Sequence, residues 1–136
     1  MNSPILPVVK PLVVCEKVTQ APGSGNLHFE NVFSAIRSRA WPPFPYRKDQ
    51  FCVLVQLSDA LGELPGWVQV VDADTFDPIF RTVDHPLTFP HRRWVLRARF
   101  QIRQCLFPHP GEYLIQFFCA GEMMADHVLY LLGPEE

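Results

Sequence analysis

Hydrophobic positions along this chain recur with a period of two, the period of a strand that buries one face. Residues 91–105 form the longest such stretch. Trp94, Leu96, Ala98, Phe100 and Ile102 fall on one side, and Val95, Arg97, Arg99, Gln101 and Arg103 on the other. The same alternation runs through residues 27–36, although residues 33–36 also suit a single helical turn. Residues 50–57 differ. Phe51-Cys52-Val53-Leu54-Val55 is almost continuously apolar, as expected of a central strand covered on both faces. Shorter strands are predicted at residues 10–18, 67–72 and 79–83. Between them stand turn signals: Pro22, Gly23, Ser24 and Gly25, then Gly62, Pro65 and Gly66, then the segment 72–78. Residues 84–90 carry Pro86 and Pro90, which confines them to a sheet edge or a connection.

The last quarter of the chain closes the pattern. Pro108-His109-Pro110-Gly111 is a stop and a turn, residues 112–119 read as a strand, and Ala120-Gly121-Glu122 reverses the chain into residues 124–132. Ile115, Phe117 and Cys119 share one face of this hairpin, and the phenol of Tyr113 is placed to cap a backbone group at the sheet end. About eight short strands separated by turns predict an all-β fold: a two-sheet antiparallel β-sandwich with minimal helix. One domain spanning residues 1–136 is expected, with 1–9 and 133–136 peripheral.

Composition supports this picture and adds little chemistry. Fourteen prolines argue against long helices, because proline lacks an amide donor and clashes with the preceding turn. Twelve basic and fourteen acidic residues give a net charge of -2, no global reason to expect an acidic partner. No apolar run approaches the roughly 20 residues a spanning helix requires. The apolar start is broken by Pro4, Pro7 and Pro11 and lacks the cationic opening of a signal peptide, so a cytoplasmic, non-membrane protein is expected. Cys15, Cys52, Cys105 and Cys119 have no CxxC spacing; free structural thiols are the favoured reading, and a bridge between two strands stays open.

Two resemblances follow from these residues. The Gly111-Glu112-Tyr113 start of the closing hairpin resembles the end of Ig-like and C2-like sandwiches, although Ile115 stands where an antibody domain has cysteine. Over most of the chain, Val14-Cys15-Glu16-Lys17-Val18, Asn31-Val32-Phe33-Ser34-Ala35-Ile36 and Pro110-Gly111-Glu112-Tyr113 resemble a family of short bacterial proteins of unknown function. That resemblance implies a cytoplasmic β-sandwich and brings no catalytic residues with it.

Three constellations stand out as candidates. Arg97, Arg99 and Arg103 share the solvent side of one strand at roughly 7 Å intervals. The bland account pairs them with carboxylates of the preceding segment, Asp59, Glu63, Asp72, Asp74, Asp77 and Asp84. A protein contact ranks second and a phosphate backbone third, since nucleic acid calls for stacking aromatics on the same face, whereas the pattern turns Trp94 and Phe100 inward. Trp41, Phe44 and Tyr46 lie in a loop stiffened by Pro42, Pro43 and Pro45. They form either a lid on one end of the sandwich or a partner site rimmed by Arg37, Arg39, Arg47 and Lys48. His85, His91, His109 and His127 have no metal-ligand spacing, and Ser34 lacks a nucleophile elbow. No metal, cofactor or catalytic residue is therefore assigned. The leading expectation is a non-enzymatic module acting through protein–protein contacts or homo-oligomerisation. Small-ligand or carbohydrate binding at Trp41, Phe44 and Tyr46 is the alternative, and a metal-dependent hydrolase comes last.

Overall fold

A computed structural model describes residues 6–134 of the chain. Within them the period-two pattern becomes eleven strands and no helix. They are β1 (Val8–Val9), β2 (Val13–Gln20), β3 (Leu27–Val32), β4 (Ala35–Arg37), β5 (Tyr46–Ser58), β6 (Gly62–Asp72), β7 (Pro78–Arg81), β8 (His85–Phe89), β9 (Leu96–Phe107), β10 (Gly111–Cys119) and β11 (Glu122–Leu132). In the first sheet, β5 pairs along its length with β9, and its other edge is shared by β2 and β1, with β3 beyond β2. In the second sheet the order is β4-β11-β10-β6, and β7 and β8 share the far edge of β6. All pairings are antiparallel except β4 with β11, which is parallel.

The core lies between the sheets and is built by every second residue. Phe51, Val53, Val55 and Leu57 of β5 and Phe100 and Ile102 of β9 face Val68 and Val70 of β6, Tyr113, Ile115 and Phe117 of β10 and Leu129 and Leu131 of β11. Gln104 interrupts the alternation of β9. Its φ of 56° shifts the phase by one residue, so Cys105 and Phe107 join the core instead of Gln104 and Leu106. All four cysteines are free and buried.

The strand count exceeds the expected eight because Val8–Val9 and the proline-bearing His85–Phe89 also pair, and the stretch expected at 27–36 divides into β3 and β4. Val8–Val9 hydrogen-bonds against Leu57 and Ser58, and Pro7 is buried. Val8 and Val9 are thus stitched into the first sheet; residues 1–5, and 135–136 at the other end, lie outside the described residues. Residues 62–66, expected as loop, form the start of β6 against β8, with Pro65 opposite Pro86. Gly66 is there for packing. A Cβ at that position would lie 2.5 Å from Leu87 Cδ1 and 3.4 Å from Phe117 Cε1, so the glycine admits a buried leucine rather than bending the chain.

The passage from β9 in the first sheet to β10 in the second is held by a tyrosine. Tyr113 is fully buried, and its hydroxyl donates to the His109 carbonyl (2.7 Å) and accepts from the His109 amide (3.3 Å). Its ring meets Phe107 edge-on at 5.1 Å. The cap expected from Gly111-Glu112-Tyr113 is therefore present, and it closes the turn backbone at the sandwich end.

Tyr113→Ala is expected to destabilise the fold by about 3–5 kcal/mol, the range for removing a buried aromatic ring, read from denaturant unfolding. Gly66→Ala is expected to cost about 1–3 kcal/mol through overpacking against Leu87. A neutral result at position 66 would mean that β8 moves aside.

Candidate functional site

The aromatic loop divides its three rings. Trp41 is 90% exposed, whereas Phe44 and Tyr46 are half-buried and pack on the core. The loop is tied down by Ser38, whose amide donates to Leu132 O and whose hydroxyl donates to Pro43 O at 2.7 Å. The Trp41–Pro42 and Phe44–Pro45 peptide bonds are cis. Phe44 and Tyr46 thus close one end of the sandwich, and Trp41 alone projects into solvent. Tyr46 also borders a surface pocket with Phe33, Glu16 and Lys48, the last two forming an ion pair of 2.5 Å.

The arginine row occupies the outer face of the first sheet. Arg97, Arg99 and Arg103 stand opposite Gln56, Leu54 and Gln50 on β5. All three are exposed, and among the described residues none is in an ion pair with a carboxylate. The expected pairing with the preceding acidic segment does not form, because that segment builds β6 to β8 of the other sheet. Arg103 lies nearer the aromatic-loop end of the β5–β9 ladder. Arg97 and Arg99 lie towards the other end, so the six candidate residues do not converge.

At that far end the β2–β3 hairpin curls over the sheet. Val18, Cys15 and Cys52 form a second small core on the outer face, with Leu27 packed on it, and Arg99 Nη1 donates to Val18 O at 3.2 Å. Between the hairpin and the start of β9 remains a cleft of about 290 Å³ bordered by Gln20, Leu27, Leu54, Trp94, Arg97 and Arg99 among others. Trp94 corrects the sequence pattern. It precedes β9, is 44% exposed and sits edge-on to His91 at 5.8 Å rather than pointing inward. The alternation expected from residue 91 begins only at Leu96, because residues 91–95 form a turn.

The outer face of the second sheet is of another kind. Among the described residues no strand lies across it. One row carries Met123, Phe118 and Trp67 on adjacent strands. Trp67 and Phe118 stack at 4.0 Å with ring planes 2° apart, and Arg81 Cζ lies 4.0 Å from the Trp67 ring centroid. The next row runs Asp126, Gln116, Gln69, Arg81, with Gln69 Nε2 donating to Gln116 Oε1 at 2.8 Å. Leu114, Val128 and the exposed Tyr130 continue the apolar surface. The signal for this face was present in the sequence: once Phe117 and Val68 point inward, Phe118 and Trp67 must point out.

Residues 10–132 match the model of a family of unknown function, DUF6941. The chain belongs to that family. No match is found among curated proteins. Among solved structures, the chain is similar to Pseudomonas fluorescens alkylpurine DNA glycosylase AlkC bound to DNA containing an abasic site analog, at 11% identity and a TM-score of 0.48. That likeness covers 89% of this chain and 30% of the glycosylase chain, and at this level it carries no argument. The family supplies no residue roles, so the chemistry of this DUF6941 member rests on its own geometry.

The described titratable groups are dispersed over the two sheets. Among the described residues no three metal-ligating side chains gather at one point. His85 meets Phe100 edge-on, His91 meets Trp94, His109 pairs with Asp72, and His127 Nε2 lies 3.2 Å from Ser34 Oγ. Burial lowers the pKa of His127, with Asp126 opposing, and no described carboxylate hydrogen-bonds its ring. Burial pushes the Cys105 thiol up to about 12 and the Cys119 thiol to about 11, which suppresses the reactive thiolates.

One polar cluster joins Asp72 with His109. Their side chains meet at 2.7 Å, and Asp72 Oδ1 also accepts the amides of Asp74 (2.8 Å) and Thr75 (3.3 Å). Those amides, the Asp74 one first, and His109 behind them hold the Asp72 carboxyl below its usual pKa. The Pro110 carbonyl, then Asp72, raises His109. Because Tyr113 grips the His109 backbone, this pair ties the turn after β6 to the crossing between the sheets. A raised histidine stabilises fully below its unfolded pKa and loses the effect as pH climbs through the folded value. A lowered aspartate stabilises fully above its unfolded pKa and loses the effect as pH falls through the folded value. His109→Gln is therefore expected to lower the melting temperature most between about pH 4 and pH 6.5, with the gap to the parent narrowing on either side. A gap independent of pH would show that the pair is not charged.

Proposed function

We propose that this protein is a non-enzymatic β-sandwich module that acts by protein–protein contact, and that the partner is a second copy docked through the outer face of the second sheet. The row Met123, Phe118, Trp67, with Arg81 over the indole, carries this reading. Aromatic residues, methionine and arginine are enriched at interfaces, while lysine is depleted. The following row is self-complementary. Asp126 stands at one end and Arg81 at the other, with Gln116 and Gln69 between. A two-fold axis parallel to the strands and midway between β10 and β6 sets each Arg81 over the other copy's Asp126, and each Phe118 over a Trp67. The present partner of Arg81 is the exposed Asp84, at 2.9 Å; such a pair is worth little and gives way readily.

Four strands by about seven residues give a face of roughly 20 by 23 Å, so a dimer buries on the order of 900–1,000 Å², the lower limit of specific interfaces. A weak, concentration-dependent dimer is the consequence. The same reading keeps the chain as one Ig-like or C2-like domain of a bacterial cytoplasm, a setting in which its four unpaired thiols persist. Ligand contact at the aromatic loop is a second reading. It rests on Trp41, whose exposed ring is held on a proline-stiffened segment.

Sedimentation velocity from low micromolar to several hundred micromolar is expected to show a rising weight-average coefficient. Phe118→Glu is expected to abolish the rise while leaving the circular dichroism unchanged. Asp126→Arg is expected to weaken association, and adding Arg81→Asp to restore it. A parent protein that stays monomeric throughout would overturn the reading.

A further inference from the structure

We infer that the cleft between the β2–β3 hairpin and the start of β9 binds a small organic carboxylate with an apolar body. It lies on the outer face of the first sheet, away from the surface assigned to self-association, and rests on different observations. Two guanidinium groups reach it from alternate residues of β9, Arg97 and Arg99, about 7 Å apart along the strand. Among the described residues no acidic side chain lines the cleft. The chain carries fourteen acidic residues against twelve basic ones, yet among the described residues none is in an ion pair with either arginine, whereas Lys48 and Arg81 both have carboxylate partners.

Arg99 is held in place. Its Nη1 is fixed on Val18 O at 3.2 Å, which orients the planar group and leaves its other donors available. Arg97 makes no such bond among the described residues and can complete a two-arginine clamp on one carboxylate. A clamp partly fixed before binding loses little side-chain entropy when the ligand arrives.

The rest of the cleft sets what the anion must carry. Leu54, beside Arg99 on the sheet, is 6% exposed and Val18 is also buried. Leu27 packs against the small outer core, and Trp94 adds an indole whose outer part is open to solvent. A bare inorganic anion would leave these walls against water, while a ring or short alkyl body covers them. The volume of about 290 Å³ is at the small end for ligand pockets and suits a compact molecule. A free metabolite and the C-terminal residue of a peptide share this carboxylate-plus-apolar chemistry.

The test is a nuclear magnetic resonance titration of the full chain with phenylacetate, following the three indole N–H signals of Trp41, Trp67 and Trp94. A saturable shift is expected at Trp94 and none at Trp41 or Trp67. Arg97→Gln, checked for an otherwise unchanged spectrum, is expected to weaken binding about tenfold or more, as loss of a charge-assisted hydrogen bond implies. Phenylacetamide, the same body without charge, is expected not to bind, and inorganic phosphate to compete poorly. A short peptide ending in phenylalanine that binds tighter than phenylacetate assigns the source to a protein terminus; weaker binding assigns it to a free acid. No shift at Trp94 with low-millimolar phenylacetate, equal binding of the amide, equal competition by phosphate, or an unaffected Arg97→Gln would each overturn the inference.

Discussion

Two sheets share one core only if the chain that leaves one enters the other at a fixed height, and here a buried phenol fixes it. Tyr113 sits in β10 and clasps the backbone of His109 through both its amide and its carbonyl. The turn between β9 and β10 is thereby pinned to the core it helps to close. Phe107 before the turn and Tyr113 after it meet edge to face, so the last core layer of each sheet is set by the same contact. His109, held in place by this grip, then reaches Asp72 and fixes the turn that follows β6. A local cap has become the hinge between sheets.

With the inner faces committed, the outer faces are left to differ. On the first sheet, Cys52 and Leu54 are apolar residues pointing away from the core, and the β2–β3 hairpin bends back to cover them. The bend leaves a cleft with two arginines at its rim. On the second sheet nothing equivalent happens, and Trp67, Phe118 and Met123 stay at the surface. The continuous apolarity of residues 51–55 and the two-sided character of residues 113–118 therefore have different physical ends: one face is internally covered, the other is offered outward.

Much of this fold was legible residue by residue. Alternation placed Phe100 and Ile102 inward and Arg97, Arg99 and Arg103 outward, and the closing hairpin carried its own turn chemistry in Ala120 and Gly121, both at positive φ. The errors share a cause. Gly62, Pro65 and Gly66 resemble a loop because glycine and proline usually punctuate strands, but Gly66 serves close packing against Leu87. Trp94 followed the rhythm of β9 without belonging to it, since periodicity does not show where pairing with β5 ends. Of the candidate residues, Phe44 and Tyr46 proved to be partly core, Trp41 alone protruded, and the arginines lacked the partners that sequence proximity suggested.

What the sequence determined by itself is the set of properties that repeat every second residue or close within a few: strand faces, the closing turn and the tyrosine cap. These depend on backbone geometry and on neighbours close in the chain. Only the tertiary structure decided which apolar outer face is covered, that Trp94 stands beside Arg97 and Arg99, and that Asp72 meets His109. Each of those outcomes depends on the register between distant strands and on the bend of a hairpin. Those are set by the packing of the whole core and leave no periodic mark along the chain.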